Sequence, residues 1–313
     1  MTWIKDLRDG QRFSGQYLVN NMAKGVTATG ASYLTISLQD KTGSLDGKLW
    51  DVLNEDLDTF AIGNIVEVSG DVLNYRGSLQ LKIISGKTVP MVKVDPSQFT
   101  MSAPRPLKDM EEELAKNIAS IKDKQISLLV DTLIKAHYAA FITYPAATRN
   151  HHEYTSGLLY HTLSMVHLAE AIIPMYPTID RDMLMAGILL HDLGKTIELS
   201  GPIIPKYTIP GKLIGHITLM ASEILKTAPE LGIEEEKATL IAHMVISHHG
   251  KQEFGSPVIP LTREAFLLSL IDDMDAKLVM MDKALEGIEA GDFSTRIYTL
   301  DDRTLYQPKN GKK

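Results

Sequence analysis

Seven residues of only two kinds, His161, His191, Asp192, His216, His248, His249 and Asp272, lie in otherwise apolar, helix-type stretches of the second half of the chain. Imidazole and carboxylate are ligands for divalent cations once deprotonated. The most telling stretch is Gly187-Ile-Leu-Leu-His-Asp-Leu-Gly-Lys195, where an apolar run ends in an adjacent His191-Asp192 pair. Burying such a pair without a partner costs several kcal/mol (roughly 2–7 for a neutral group, more for a charge), and a cation removes that cost. His161 lies earlier in Gly157-Leu-Leu-Tyr-His-Thr-Leu-Ser164, and Asp272 later in Leu270-Ile-Asp-Asp-Met-Asp-Ala-Lys277. Helical surroundings at all three places predict ligands projecting inward from separate helices of one bundle. A divalent metal is therefore the first expectation. Imidazoles with hard carboxylates suit manganese first, with iron, cobalt, zinc and magnesium as alternatives. The chain has no cysteine, so thiolate sites and disulfides are excluded.

The order His, His-Asp, Asp resembles the HD superfamily of metal-dependent phosphohydrolases, a helical fold. The context of His161, the Gly194-Lys195 that follows the His-Asp pair, and Asp272-x-x-Asp275-Ala276 carry the likeness. His216, His248 and His249, falling between the second and last ligands, resemble the extra ligands of HD subgroups that hold two metals. On that reading His161, His191 and Asp272 hold one ion, His216, His248 and His249 the other, and Asp192 bridges them. The resemblance also lays Lys195 over the phosphate as a catalytic cation, with Gly194 fixing a tight turn beside it. In the HD-GYP phosphodiesterases the stretch after the paired histidines carries Gly-Tyr-Pro. Here it reads Lys251-Gln-Glu-Phe-Gly-Ser-Pro257, which points away from cyclic dinucleotides. Taken singly, each histidine could be a satisfied core residue, the role expected of His137 and His167. Seven ligand-type positions in this order argue otherwise.

These residues need a bundle to position them, and the pattern from Lys108 to about Ala290 supplies one. Acidic residues open the first helix at Lys108-Asp-Met-Glu-Glu-Glu-Leu114, and apolar residues recur at helical spacing through Leu114, Ile118, Ile126, Leu129 and Leu133. The loop Tyr144–His152 places Arg149, His151 and His152 just ahead of the first ligand, where Arg149 and His152 are candidates for phosphate contacts.

The first ninety residues differ in kind. Tyr33-Leu-Thr-Ile-Ser-Leu38 alternates with period two, and strand-like runs lie at Gln16 to Asn20, Leu45 to Trp50, Ile65 to Leu73 and Ser78 to Ile84. Turn signals separate them, and a short helical insert at about Asn54 to Phe60 precedes the fourth strand. Five strands in this order predict an OB-fold, a small Greek-key barrel. Leu38-Gln-Asp-Lys-Thr-Gly43, Asp46-Gly-Lys-Leu-Trp50 and Gly63-Asn-Ile-Val-Glu-Val-Ser-Gly70 resemble nucleic-acid-binding OB modules of the tRNA-anticodon type. Such barrels stack bases on aromatic rings near cations, which makes Tyr33, Trp50 and Tyr75, with Lys48, Arg76 and Lys82, the candidates. Packing is the competing role for each ring; Trp50 in particular could cap the barrel. Residues 1–90 carry nine Lys and Arg against ten Asp and Glu, so this module positions a strand rather than gripping its phosphates.

The expected architecture is thus multi-domain: an OB-fold barrel (1–91), a Pro-containing linker (92–107) and an all-α HD domain (108–313). A net charge of −7 disfavours non-specific coating of nucleic acid. The charged N-terminus has no signal-peptide core and no apolar run is long enough to span a bilayer, so a cytoplasmic, non-membrane protein is expected. A barrel, a linker and an HD domain together resemble the YhaM-type 3′-5′ exoribonucleases. That likeness implies manganese-assisted release of 5′-mononucleotides from single-stranded RNA, with single-stranded DNA as a second substrate. The order of domains is compatible with a homo-oligomer. Two readings compete: an HD nucleotide hydrolase acting on dNTPs or small phosphomonoesters with a regulatory barrel, and a non-catalytic strand-binding adaptor. The adaptor requires a missing ligand, and none is missing.

Overall fold

The structure is a computed structural model; it describes residues 2–27, 30–75, 78–90, 98–146, 154–203 and 205–310. The chain divides into two compact units, Met1–Ser102 and Ala103–Lys313.

The first unit is a five-stranded barrel. Its strands are β1 (Arg12–Val26), β2 (Ser32–Asp40), β3 (Gly43–Trp50), β4 (Ile65–Tyr75) and β5 (Ser78–Val89), with helix α1 (Asn54–Thr59) between β3 and β4. The order β1-β2-β3-β5-β4 closes on itself, and the parallel β3–β5 pair (Gly47 to Leu81, Leu49 to Ile83) is the seam. This is the OB arrangement. Alternation follows the pleat: Leu34, Ile36 and Leu38 of β2 point into the core, joined by Val66, Val68, Val72, Leu81 and Ile83. Phe60, just past α1, is fully buried in the same core, and a Cβ on Gly86 would meet its ring at 2.2 Å. The buried Asp40 carboxylate is satisfied locally, accepting from the Ile4 and Thr42 backbone N–H groups at 2.7 Å each. Strand β1 runs further at both ends than the sequence pattern predicts, and β5 runs on past Ile84 to Val89; beyond Asn20 and Ile84 none of the paired residues is buried, so no apolar alternation marks them.

The second unit is helical: α2 (Leu107–Ala119), α3 (Lys124–Phe141), α4 (Gly157–Ile172), α5 (Arg181–Leu190), α6 (Lys195–Glu198), α7 (Ile209–Leu213), α8 (His216–Glu230), α9 (Glu235–Ser247) and α10 (Arg263–Leu285). Caps set several starts: Asp123 accepts from Gln125 and Ile126 ahead of α3, Asp180 from Met183 ahead of α5, and Thr262 from Ala265 ahead of α10. Helix α5 is the axis of the unit. Every residue from Met183 to Leu190 is buried, and the helix touches α3, α4, α9 and α10. A helix apolar on all sides is one surrounded on all sides, which is why its sequence reads as an unbroken run instead of a stripe. Among the described residues no helix is long and apolar enough to cross a membrane.

Candidate metal centre and active site

His191 caps the C-terminal end of α5 and Asp192 follows it, so the central helix delivers both groups into the bundle interior. His161 comes from α4, Asp272 and Asp275 from α10, His216 from the first turn of α8, and His248 and His249 from the end of α9. The structure brings all seven ligand-type residues together. Two groups have their ligand atoms within 4.8 Å of one another: His161, His191 and Asp192, and His216, His248 and His249. Asp192 faces both. Its Oδ2 lies 3.3 Å from His191 Nε2 and 3.8 Å from His161 Nε2, and its Oδ1 lies 3.3 Å from His216 Nε2 and 3.7 Å from His248 Nε2. Asp272 Oδ1 is 3.2 Å from His161 Nε2.

One feature unites the five imidazoles: each is held by Nδ1. His191 Nδ1 donates to the Ile188 carbonyl at 2.8 Å, His248 Nδ1 to the Val245 carbonyl at 2.7 Å, and His249 Nδ1 to the Phe254 carbonyl at 2.7 Å. His161 Nδ1 meets Asp275 Oδ2 at 2.7 Å, and His216 Nδ1 meets Glu198 Oε1 at 3.1 Å. A carbonyl or carboxylate oxygen only accepts, so a proton sits on Nδ1 and Nε2 is the atom that faces the centre. That is the arrangement a metal requires. Asp192 Oδ1, His216 Nε2 and His248 Nε2 are buried with no hydrogen-bond partner. Buried polar atoms are normally satisfied, so three orphans aimed at one spot fit a divalent cation.

The charges follow from the same contacts. Burial would raise the Asp192 carboxyl, but Lys195, whose Nζ is 2.6 Å from Oδ2, and His191 hold it well below the usual carboxylate range. Burial would likewise raise Asp272, and His161 beside it lowers it. For His161 burial works downward, yet Asp272 and Asp275 outweigh it and push the imidazole up to about 9. His216 is raised in the same way by Asp192 and Glu198. His248 and His249 are lowered, because burial, together with the neighbouring imidazoles, outweighs Asp272 and Asp192.

Beside this cluster opens a cavity of about 570 Å³, whose walls include Asp192, Lys195, His216, His248, His249 and Asp272. Gly194 has an ordinary helical backbone (φ −60°), so it is not there for a special turn. It is there for close approach: a Cβ would stand 2.2 Å from the His216 carbonyl oxygen.

Residues 158–277 match the HD domain family. The 3′-5′ exoribonuclease YhaM of Geobacillus sp. (strain WCH70) is 46% identical over 302 residues, covering 96% of this chain and 93% of that protein. The YhaM of Halalkalibacterium halodurans is 47% identical over 300 residues (96% and 94%), and that of Bacillus subtilis (strain 168) 43% over 300 residues (96% and 96%). The chain belongs to the YhaM family of 3′-5′ exoribonucleases. Among solved structures, the second OB-fold domain of replication protein A from Methanococcus maripaludis is 22% identical, covering 28% of this chain and 93% of that one, with a TM-score of 0.24.

Two residues of the YhaM centre were not assigned from sequence, Asp275 and Glu198. Both sit three positions after a singled-out residue, Asp272 and Lys195, which on a helix puts them on the same side. Each holds the Nδ1 of a histidine, and losing such a partner typically lowers metal affinity or activity about 10–100-fold. Asp275→Asn should therefore lose activity by about that factor and recover part of it at raised metal concentration. A variant with unchanged metal dependence would show that His161 is oriented by packing alone.

In the barrel, Tyr33 and Trp50 are cross-strand partners with ring centroids 5.2 Å apart. Lys48 Nζ lies 4.5 Å above the Tyr33 ring and donates to Thr35 Oγ1 at 2.9 Å. Trp50, the last residue of β3, is 45% exposed. Tyr75 ends β4 and is exposed, and Lys82 pairs in register with Lys48 across the seam. Arg76, Arg149, His151 and His152 fall outside the described residues. The other histidines have structural partners: His137 bridges Glu223 and Thr196 at 2.9 Å each, and His167 pairs with Glu113 at 2.6 Å.

Proposed function

We propose that this chain removes nucleotides one at a time from the 3′ end of single-stranded RNA, releasing 5′-mononucleotides, at a centre that holds two divalent cations. The observation that carries this is the set of five Nδ1-anchored imidazoles, four of them turned on the two oxygens of Asp192. His161, His191 and Asp272 would hold one ion, His216, His248 and His249 the second, with Asp192 between them. Bound ions would supply hydroxide at neutral pH and spread the charge that gathers on the phosphoryl oxygens. The chain's own groups do the rest. Asp192, kept anionic, offers one oxygen to each half of the centre. Asp275 and Glu198 stop the His161 and His216 rings from turning. Lys195 has three N–H donors, of which Asp192 takes one; the others face the cavity, where they meet a phosphate as it turns more negative. Manganese is the first choice of metal, single-stranded DNA a second substrate, and the cytoplasm the setting.

The direct test is a single-stranded RNA labelled at its 5′ end, incubated with the protein and manganese. A ladder shortening from the 3′ end is the expected result. Intact RNA beside hydrolysis of free nucleotides would instead make the centre a nucleotide hydrolase.

The barrel's part is to bind the strand by stacking on Tyr33 and Trp50. A stacked base is worth about 1–3 kcal/mol, so Trp50→Ala should weaken RNA binding by that amount in a titration of Asp192→Asn protein, which does not consume the ligand. Unchanged affinity would reduce the Tyr33–Trp50 pair to a packing contact.

A further inference from the structure

Two large aromatic rings stand at the wall of the catalytic cavity without packing against the core. Tyr207 and Phe254 both line it, at 55% and 60% exposure, and neither belongs to the hydrophobic cluster of the helical unit. Single exposed rings are common on any surface. These two differ in how they are mounted. The Phe254 carbonyl is the acceptor that fixes His249 Nδ1. The next residue, Gly255, has φ +99°, a left-handed backbone that closes the short turn presenting the ring. Tyr207 pairs with Leu199 in an isolated antiparallel bridge, and the Thr208 N–H next to it donates to the Glu198 carbonyl at 2.9 Å. Glu198 is the residue whose carboxylate fixes His216 Nδ1. The Phe254 ring is therefore carried by backbone one hydrogen bond from His249, and the Tyr207 ring by backbone two hydrogen bonds from His216, ligands of the same half of the centre. Lys251 Nζ, 5.7 Å from the Phe254 ring centroid, adds a cation beside one of them.

Exonucleolytic release of a 5′-mononucleotide breaks the P–O3′ bond to the penultimate sugar, so the phosphate leaves on the terminal nucleotide. With that phosphate at Asp192 and Lys195, the terminal base occupies the same cavity. Among the described residues no other wall of the cavity offers a flat apolar face to it, and stacking accepts every base because each has a π-face.

We propose that Tyr207 and Phe254 form the seat of the 3′-terminal nucleobase. The proposal rests on the exoribonuclease reading and adds where the departing nucleotide sits. Its test compares two 5′-labelled RNAs that differ only at the 3′-terminal nucleotide, one carrying a base and one abasic, with manganese-loaded protein. The unaltered protein should remove the abasic residue with kcat/KM about tenfold lower, the usual worth of one stacked base. Phe254→Ala and Tyr207→Ala should each lose about that factor on the ordinary end and clearly less on the abasic end, and Phe254→Trp should restore it. Equal rates on both ends in the unaltered protein would overturn the seat. So would variants that lose the same factor on both ends, since that is damage passed to His249 or His216. An RNA left at full length by the unaltered protein removes the exoribonuclease reading and the seat with it, an outcome distinguished by the absence of any ladder.

Discussion

Asp192→Asn should lower RNA trimming by about 10³-fold, the scale seen when a preorganised charge-stabilising group is removed from an active site, while affinity for single-stranded RNA stays within about twofold. Asn keeps the size and the acceptor oxygen that Lys195 uses, so the buried ammonium is not stranded. Asp192→Ala would leave it without its 2.6 Å partner, and breaking a buried pair in that way costs about 3–5 kcal/mol, which would confuse a fold defect with a chemical one. What Asn cannot provide is the second anionic oxygen. In the native chain Oδ2 faces His191 and His161 while Oδ1 faces His216 and His248; a carboxamide offers one oxygen and one N–H donor pair. The N–H face would repel a cation from one half of the centre. Metal analysis of the purified variant should therefore show at least one ion lost per chain. Turnover retained at the native rate would mean that Asp192 is not the group shared by the two halves, and the assignment of the centre would fail.

The sequence made this centre legible because its ligands sit at helix ends. His191-Asp192 closes an apolar run and His248-His249 closes another, and polar pairs in such places are conspicuous against their surroundings. The barrel was legible through period-two alternation in Tyr33–Leu38, which corresponds to the inward Leu34, Ile36 and Leu38. What stayed hidden was the layer behind the ligands. Asp275 stands in the motif without a role and Glu198 looks like an ordinary helix carboxylate until α4 and α8 arrive beside them, and their partners lie 114 and 18 residues away in the chain. The Nδ1 anchors of His191 and His248 are carbonyls three residues earlier, a consequence of backbone geometry that side-chain pattern does not encode. Gly194 shows the same limit. A glycine after a His-Asp pair suggests a turn, whereas its reason is the carbonyl of His216, brought within 2.2 Å of a would-be Cβ by the tertiary fold. Tyr207 and Phe254 carry no pattern at all in one dimension, since only the cavity makes two distant exposed rings neighbours of one site.

Removing the metal should abolish trimming, and restoring it should show a pH dependence set by His161. Protein treated with chelator is expected to leave the RNA intact, and added manganese to restore the ladder; trimming at the full rate in chelator would overturn a metal centre. In the metal-free chain His161 is raised from its ordinary 6.5 to about 9, because Asp272 and Asp275 outweigh the effect of burial. The raised value means that the folded chain holds this proton more tightly than the unfolded chain does. Its contribution to stability is complete below about 6.5 and is lost as pH rises through about 9. His216, raised by Asp192 and Glu198, acts in the same direction. Thermal stability of the metal-free protein should accordingly fall between neutral pH and about 9. A cation needs the His161 Nε2 lone pair, so binding at neutral pH must expel that proton, and apparent affinity should rise by about tenfold per pH unit for each proton released. His248 and His249, lowered by burial, give up their lone pairs with no proton to shed. Each half thus contains one raised imidazole, His161 in one and His216 in the other, so both halves should bind the cation more tightly as pH rises. Calorimetric titration of manganese in buffers of unlike ionisation heat reads this directly, as protons handed to the buffer on binding. A single class of sites with no buffer dependence at neutral pH would contradict the arrangement, since a His161 held by two carboxylates cannot bind a cation without releasing a proton.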